Sequence, residues 1–574
     1  MTKSMWNSQP ASGEWNLSEN WTPSEDPPVN AEFGPSSQTS IGFSNTSDAT
    51  VETIEFSENA SAYTFLFGPS DTPALTISGQ GVSNHSYNRQ SLVVAATSHG
   101  FSNPQLKFTN EATAGGDNLF YCAGPVTEQG YGGGVICFCD QANAGSASFK
   151  VWTGAATPPK HSTVGGEVSF CNSSSAANAR FTIYGSLGLD GDTFGNVVFH
   201  DTATAANANF INVGGTVSGG DGGNTQFYGN STAAYGIYNN WGGTYPKANG
   251  GDVAFDATAD GGQGQFHNYA AKAAGAYGGV TSFNNNPPHM NTQGASAGNG
   301  AYYNYGAREG EQGGGGHAEF SAKYGSPTAA NARIINYGSA IKNKSTAGHT
   351  IFSINLPTDY YPTAGNACIW NHPGETQQGA AGYTEFSVYG SGNGGDQVPT
   401  AGNATIYNLG AYLPQAAGGY TLFSDTASAG NSTLIAYGGS HGGHGGRIVF
   451  YGNASGDTAK VQLYDNAELD LRDHATGLTL DRLDLTGGVI AIRLESETTG
   501  LTVSGQLSLH SKPVYFYFSQ PKDENFANNK AYTILSNSGL SGFSAEQFAG
   551  SSIDGVEPTF SIVGNDLQVS FHKP

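Results

Sequence analysis

Basic charge is scarce in this chain of 574 residues: 22 Lys and Arg stand against 45 Asp and Glu, a formal net charge of −23. Such a surface repels nucleic acid and anionic lipid, and no basic patch interrupts it. A polyanionic glycan is a poor ligand on the same ground, so a neutral partner is expected. Long apolar runs are missing as well. None approaches about 18 residues, so no helix is expected to span a membrane and no membrane insertion by this chain is predicted. The opening residues MTKSMWNSQP lack the apolar core of a signal peptide. The remainder reads as extracellular, secreted or held at a cell surface, so a chain without its export signal is the expectation. Five cysteines, Cys122, Cys137, Cys139, Cys171 and Cys368, are too few and too uneven for a disulfide framework. Long helical periodicity is also hard to find.

Glycine is abundant, with 83 residues, roughly twice the usual share. It is placed with a period. A glycine stands four residues before a phenylalanine at Gly134/Phe138, Gly166/Phe170, Gly195/Phe199, Gly223/Phe227, Gly251/Phe255, Gly279/Phe283, Gly316/Phe320, Gly348/Phe352, Gly382/Phe386, Gly419/Phe423 and Gly446/Phe450. From Phe108 to Phe450 the phenylalanine spacings are 30, 32, 29, 28, 28, 28, 37, 32, 34, 37 and 27. A unit that lengthens without losing register marks a solenoid. Short runs such as VSF, VVF, TQF and VAF between Gly/Asn/Asp-rich turns make the unit a strand-and-turn coil. The fold class predicted is all-β: a single-stranded, right-handed parallel β-helix with coils of about 28 residues and terminal caps. Residues 1–105 read as an N-terminal cap and leading coils, 106–459 as the repeat β-helix, and 460–574 as L-x-L coils with a terminal cap. FSIVGNDLQVSF closes the chain as a hairpin.

Within a coil, residues two apart such as Val168 and Phe170 face the same way, and we place them inward. Phe227 thus belongs to a buried column. A second strand opens with Asn in NARFTIYG, NANFINVG, NGAYYNYG, NARIINYG, NACIWNHP, NATIYNLG and NSTLIAYG. Three residues on, a large apolar side chain recurs: Phe181, Phe210, Tyr302, Ile334, Ile369, Ile406, Leu434. Two further on, Asn212, Asn304, Asn336, Asn371 and Asn408 recur. Asn336 and Asn371 are therefore expected in a structural ladder of amides bonded coil to coil; a ligand-binding role is the alternative.

The opening W-N…G-x-W-N…N-W-T-P, the repeats FHDTATAANA and FSDTASAGNS, and the closing AELDLRDHATGLTLDRLDLTGG resemble secreted bacterial proteins with autotransporter-type β-helix passenger domains. The likeness covers nearly the whole chain. It implies the architecture and an extracellular life, and leaves activity open, because such passengers include adhesins, proteases and hydrolases. The membrane barrel of that family is not recognisable in this sequence, so it has been cut away or export follows another route.

The repeat breaks in one place. From the repeat Phe to the opening Asn is 8 residues in regular coils, but 16, 11, 14 and 17 after Phe283, Phe320, Phe352 and Phe386. The excess stacks inserted loops on one side of residues 283–402, where solenoids usually bind. Those coils also carry Tyr303, Ile335, Trp370 and Tyr407 at an outward position. One reading is a stacking platform for a neutral polysaccharide or cell-surface glycan, with Tyr360, Tyr361 and His289 at its side; the other is a hydrophobic cluster under the loops. Asp359 and Asp396, one coil apart, are the catalytic candidates of an alternative, a glycoside hydrolase or lyase working in residues 284–402. The leading expectation is surface binding, adhesion or scaffolding, not catalysis. No cofactor is expected. His441 and His444 in HGGHGG make an incomplete metal site. The acidic turns LDGDTFG and SGGDGGN leave calcium open but lack its full ligand spacing. Cys139 and Cys171, on adjacent coils, can form a disulfide or simply share a column.

Overall fold

The structure is a computed structural model that describes residues 3–25, 28–43, 49–68, 75–95, 105–124, 133–153, 165–186, 194–284, 293–355, 358–389, 397–494, 500–510, 512–520 and 530–572. The chain forms a parallel β-helix, and its coils group into two units, residues 1–282 and 283–574.

In the first unit the coils from Leu106 to Asn268 each contribute two short strands, while the leading coils hold the longer Ala49–Phe56 and Leu75–Asn84. Val135–Phe138, Glu167–Phe170, Asn196–Phe199, Asn224–Phe227 and Asp252–Phe255 pair in parallel with no slip in register. So do Leu119–Ala123, Ser148–Val151, Arg180–Ile183, Asn209–Asn212, Ile237–Asn240 and Gln265–Asn268. Between the two strands the chain touches the next coil through single bridges, Thr113 to Asn143 to Ser175 to Thr204 to Thr232 to Asp260. Each of these side chains accepts the amide two residues on, as Thr204 Oγ1 does from Ala206 (3.1 Å), and so sets the corner. The earlier corner takes left-handed backbone at Asn110, Asp140, Asn172 and Asp201 (φ 55 to 58°), residue types that tolerate it.

The core is a set of stacked rings. Phe108, Phe138, Phe170, Phe199, Phe227 and Phe255 lie face to face at 4.7 to 4.9 Å. Tyr121, Phe149, Phe181, Phe210, Tyr238 and Phe266 form a second column, met edge-on by the first. At the N-terminus Trp6, Trp15 and Trp21 are all buried; Trp6 and Trp15 lie at 30° to Phe33, and Trp21 stands edge-on to all three rings, which seals the first coils.

The second unit repeats the plan. Phe283, Phe320, Phe352, Phe386, Phe423 and Phe450 stack at 4.6 to 5.0 Å. Glycine precedes these strands because a Cβ has no room: at Gly348 it would fall on the carbonyl oxygen of Asn304, and at Gly382 on that of Asn336. Near the C-terminus the bend between strands is lost. Lys460–Asp470 pairs with both Thr433–Ala436 and Arg447–Phe450, and its pairing with Arg482–Arg493 shifts register between Asp465 and Glu468. The chain closes with the antiparallel hairpin Pro558–Val563/Asp566–Phe571, turned at Gly564 (φ +63°) and Asn565.

The inner amides form ladders. Asn212, Asn240 and Asn268 in the first unit, and Asn304, Asn336, Asn371 and Asn408 in the second, are fully buried. Asn212, Asn240, Asn304, Asn336 and Asn371 each donate Nδ2 to the next Oδ1 at 2.8 Å. A threonine two residues before the repeat Phe supplies a further donor: Thr350 Oγ1 to Asn336 Oδ1 (2.9 Å), Thr384 to Asn371 and Thr421 to Asn408 (3.0 Å each). Asn371 Nδ2 also donates to the Tyr420 carbonyl (2.9 Å). The ladder stops at Asn408, because Ala436 holds the next rung, and Asn408 Nδ2 has no partner.

Two substitutions test this core. Phe227→Ala removes a ring held between Phe199 and Phe255, and is expected to cost about 3–5 kcal/mol, less if the loss stays within neighbouring coils; urea titration followed by far-UV circular dichroism measures it. Asn371→Leu removes the acceptor of one Asn336 N–H, whose Nδ2 keeps the Tyr383 carbonyl, and of the Thr384 hydroxyl, at about 1–3 kcal/mol for each buried group left unpaired. A variant as stable as the parent would show that the ladder contributes nothing.

Candidate functional site

Tyr303, Ile335, Trp370, Tyr407 and Ile435 lie in one register column on the outer face of the second strands, Ala301–Asn304 to Thr433–Ala436. Tyr303, Trp370 and Tyr407 are half-buried, while Ile335 and Ile435 are 6% and 8% exposed. The Trp370 and Tyr407 rings stack at 5.4 Å and 8°. The Arg333 guanidinium lies 5.2 Å from the Trp370 ring centre. The stack and the guanidinium occupy the π-surface of Trp370, and the ridge presents ring edges and phenol hydroxyls to solvent.

A second row of rings runs beside it, at the corner just after the ladder asparagine. Tyr305 stacks on Tyr337 at 5.1 Å, Tyr337 meets His372 at 5.1 Å, and Tyr437 stacks on Tyr464 at 5.2 Å. In the first unit the same corner holds Trp152 on Tyr184 (4.3 Å) and Trp241 on Tyr269 (4.2 Å). Sequence reasoning passed over this row, although its signal is plain: an aromatic directly follows Asn in NNW, HNY, YNY and INY.

The inserted-loop candidates are only partly assembled. Thr358 Oγ1 donates to the Lys323 carbonyl (2.9 Å) and the Tyr361 amide to Ser326 Oγ (3.3 Å), which seat the loop on the preceding coil. Asp359 and Tyr361 are exposed there and Tyr360 is half-buried. Asp396 and His289 lie outside the described residues, and so does the pairing of Asp359 with Asp396. The turn at 189 is outside them too. In the turn at 218, the Asp221 carboxylate takes the Asn249 amide. His441 and His444 are exposed, and His441 packs on Tyr412 at 4.4 Å. All five cysteines are free thiols, so no disulfide joins Cys139 to Cys171.

A polar cluster missed by the sequence reading lies on the outer face of the first strands. His317–Ala322, His349–Ile354 and Tyr383–Val388 run six residues, where Tyr420–Phe423 has four. Glu319, Ile351 and Glu385 share a register column, with Ser321, Ser353 and Ser387 beside them. Tyr389 donates its hydroxyl to Glu385 Oε1 (2.6 Å), and Lys344 Nζ stands 3.8 Å from Glu385 Oε2. Burial pushes the Glu319 carboxyl above its ordinary value. The sequence signal was Glu before the repeat Phe in AEF at 318 and TEF at 384, where no other coil from Phe108 to Phe450 carries an acidic residue.

One side of that face is a stacked column of His317, His349, Tyr383 and Tyr420, with centres 4.8 to 5.1 Å apart. Desolvation lowers His317 to about 3 and His349 to about 4; His349 further disfavours charge on His317, and Lys344 does the same for His349. No protein-family model matches the chain, and no curated protein matches it.

The histidine pair makes a pH prediction. Both rings are neutral in the fold, whereas in the unfolded chain they titrate near 6.5. The unfolded state therefore gains protons first as pH falls, and stability that is complete above about pH 6.5 drains away toward the folded values of about 4 and 3. Between about pH 7 and pH 4 the parent should lose roughly 2 kcal/mol or more beyond the loss shown by His317→Phe/His349→Phe. Melting temperature against pH checks it, and parallel curves refute it.

Proposed function

We propose that this protein is a surface-binding β-helix that works outside the cell, as an adhesin or scaffold, and that its second unit holds a neutral glycan along the ridge of Tyr303, Trp370 and Tyr407. The observation that carries this reading is the tyrosine surface. Of eighteen large apolar or aromatic side chains exposed among the described residues, eleven are tyrosines. Tyrosine offers wide contact area and a hydroxyl at low entropic cost, which suits a face built for contact. The net charge of −23 selects a neutral ligand over an acidic one, although salt screens that preference beyond about 8–10 Å. Because the ridge shows edges, the glycan is held by hydroxyl hydrogen bonds and edge contacts more than by stacking on open ring faces. Tyr303 and Trp370, two coils apart, stand about 10 Å apart along the stack, close to the span of two sugar units in an extended glycan.

The second reading, a polysaccharide hydrolase, is favoured by the Glu319/Glu385 arrangement. Two carboxylates two coils apart are about 10 Å apart at the backbone, near the roughly 6.5–9.5 Å that an inverting hydrolase needs between its acid and base. Glu319, half-buried and with its carboxyl pushed up by desolvation, is suited to keep its proton as the acid, and Glu385, beside Lys344 and Tyr389, is placed as its partner.

Pull-down on an insoluble neutral glycan separates these readings. Trp370→Ala/Tyr407→Ala is expected to weaken retention about tenfold, or ~1.4 kcal/mol. Tyr303→Phe/Tyr407→Phe should weaken it in part, and Asp359→Asn should leave it intact. Full retention by the alanine pair would sink the ridge and leave scaffolding. Release of reducing sugar from a glycan panel, stopped by Glu319→Gln or Glu385→Gln, would move the protein to the hydrolases.

A further inference from the structure

Three of the five cysteines meet on the outer face of the first unit. Cys137 and Cys139 flank Phe138 at the end of Val135–Phe138, so both point outward while the ring points in. Cys171 follows Phe170 one coil on. Its amide donates to the Phe138 carbonyl (2.8 Å), which sets it over Cys139. The three sulfurs lie within 4.8 Å of one another, and those of Cys137 and Cys139 are 3.3 Å apart. Among the described residues this is the one group of three or more potential metal ligands within such reach. Cys137 is buried while Cys139 and Cys171 are half-exposed, so the cluster has a packed floor and an open side. Lys107 is the register partner of Cys137 on the preceding coil, and brings positive charge to a place where thiolates would gather.

We propose that Cys137, Cys139 and Cys171 form a trithiolate site for one thiophilic cation, Cu+ or Zn2+. An all-sulfur donor set selects these ions over calcium and magnesium, which take oxygen ligands. Three sulfurs about 2.3 Å from a common metal stand about 3.8–4.0 Å apart. The sulfurs reach that spacing by side-chain rotation, without moving the coils. Binding releases the thiol protons to solvent, forms three metal–sulfur bonds and changes no oxidation state. A trigonal Cu+ is complete with three thiolates, and Zn2+ adds a water as fourth ligand.

The test uses the full chain, reduced and kept anaerobic, titrated separately with Zn2+ and with Cu+. The readouts are the sulfur-to-metal charge-transfer band for Cu+, metal content after desalting for both, and proton release. One metal per chain is expected. Cys139→Ser and Cys171→Ser should each weaken binding at least about 100-fold, while Cys122→Ser and Cys368→Ser bind like the parent. Far-UV circular dichroism verifies that the variants fold, and Cys171→Ala serves as a second probe at the half-exposed position. Failure to retain either metal overturns the site. So does a stoichiometry that survives Cys139→Ser, or recovery of the native chain with Cys139 disulfide-bonded to Cys171.

Discussion

In-register stacking at about 4.8 Å is the constraint on which the other features rest. Whatever occupies a position in one coil has its counterpart from the next coil one strand spacing away. Flat rings solve this for the interior by lying face to face, as Phe199, Phe227 and Phe255 do. Amides solve it for the buried polar positions, because a carboxamide carries both a donor and an acceptor and can repeat along a line. No other neutral side chain of that size could fill the positions of Asn336 and Asn371 and leave nothing unpaired. The glycine before each first strand answers the same demand, since the chain there passes directly over a carbonyl of another coil.

The outer faces obey the same rule, and it shapes their chemistry. Rings placed in successive coils close over each other, so Trp370 has its π-surface taken by Tyr407 and Arg333. A face-stacking sugar platform would need rings in alternate coils with small residues between. Like charges are harder still. Two carboxylates one coil apart would repel with little screening on a half-buried face. Glu319 and Glu385 avoid this by having Ile351 between them. Small thiols also tolerate close approach, and Cys137, Cys139 and Cys171 gather on adjacent coils with their sulfurs within 4.8 Å of one another.

The legible part of the fold was whatever repeats. Gly and Phe at fixed spacing gave the coil, and Asn at a fixed offset gave the ladder. The ladder was nevertheless read as shorter than it is. Asn240 and Asn268 belong to it, but their strands open with Gly236-Ile237 and Gly264-Gln265 and lack the initial Asn that served as the marker. The threonines that bond the ladder were invisible for a different reason: Thr350 and Asn336 are 14 residues apart, and only the coil's closure brings them together. Site chemistry was less legible because it depends on faces. Asp359 attracted attention as a charged loop residue, yet a loop sets no fixed geometry. Glu319 and Glu385 looked like ordinary solvent-facing strand positions, yet Glu385 is buried and Glu319 half-buried, on strands whose six-residue length no spacing rule announces.

A stack of identical rungs has no natural end, and its last strand offers unpaired backbone to any other chain. The two termini meet this differently. Trp6 and Trp15 lie over Phe33 with Trp21 edge-on to all three, and Ser4–Trp6 pairs antiparallel with Trp21–Thr22, so the open end of the aromatic column is covered. The C-terminus reverses strand direction instead. Tyr532–Ser536 pairs antiparallel with Asp566–Phe571, which turns back along Pro558–Val563. An added coil would need a parallel partner, and an antiparallel hairpin beginning at proline presents a poor one. A protein that exposes so much tyrosine needs this device more than most, because broad, exposed aromatic side chains would otherwise serve for contact with another copy of the chain.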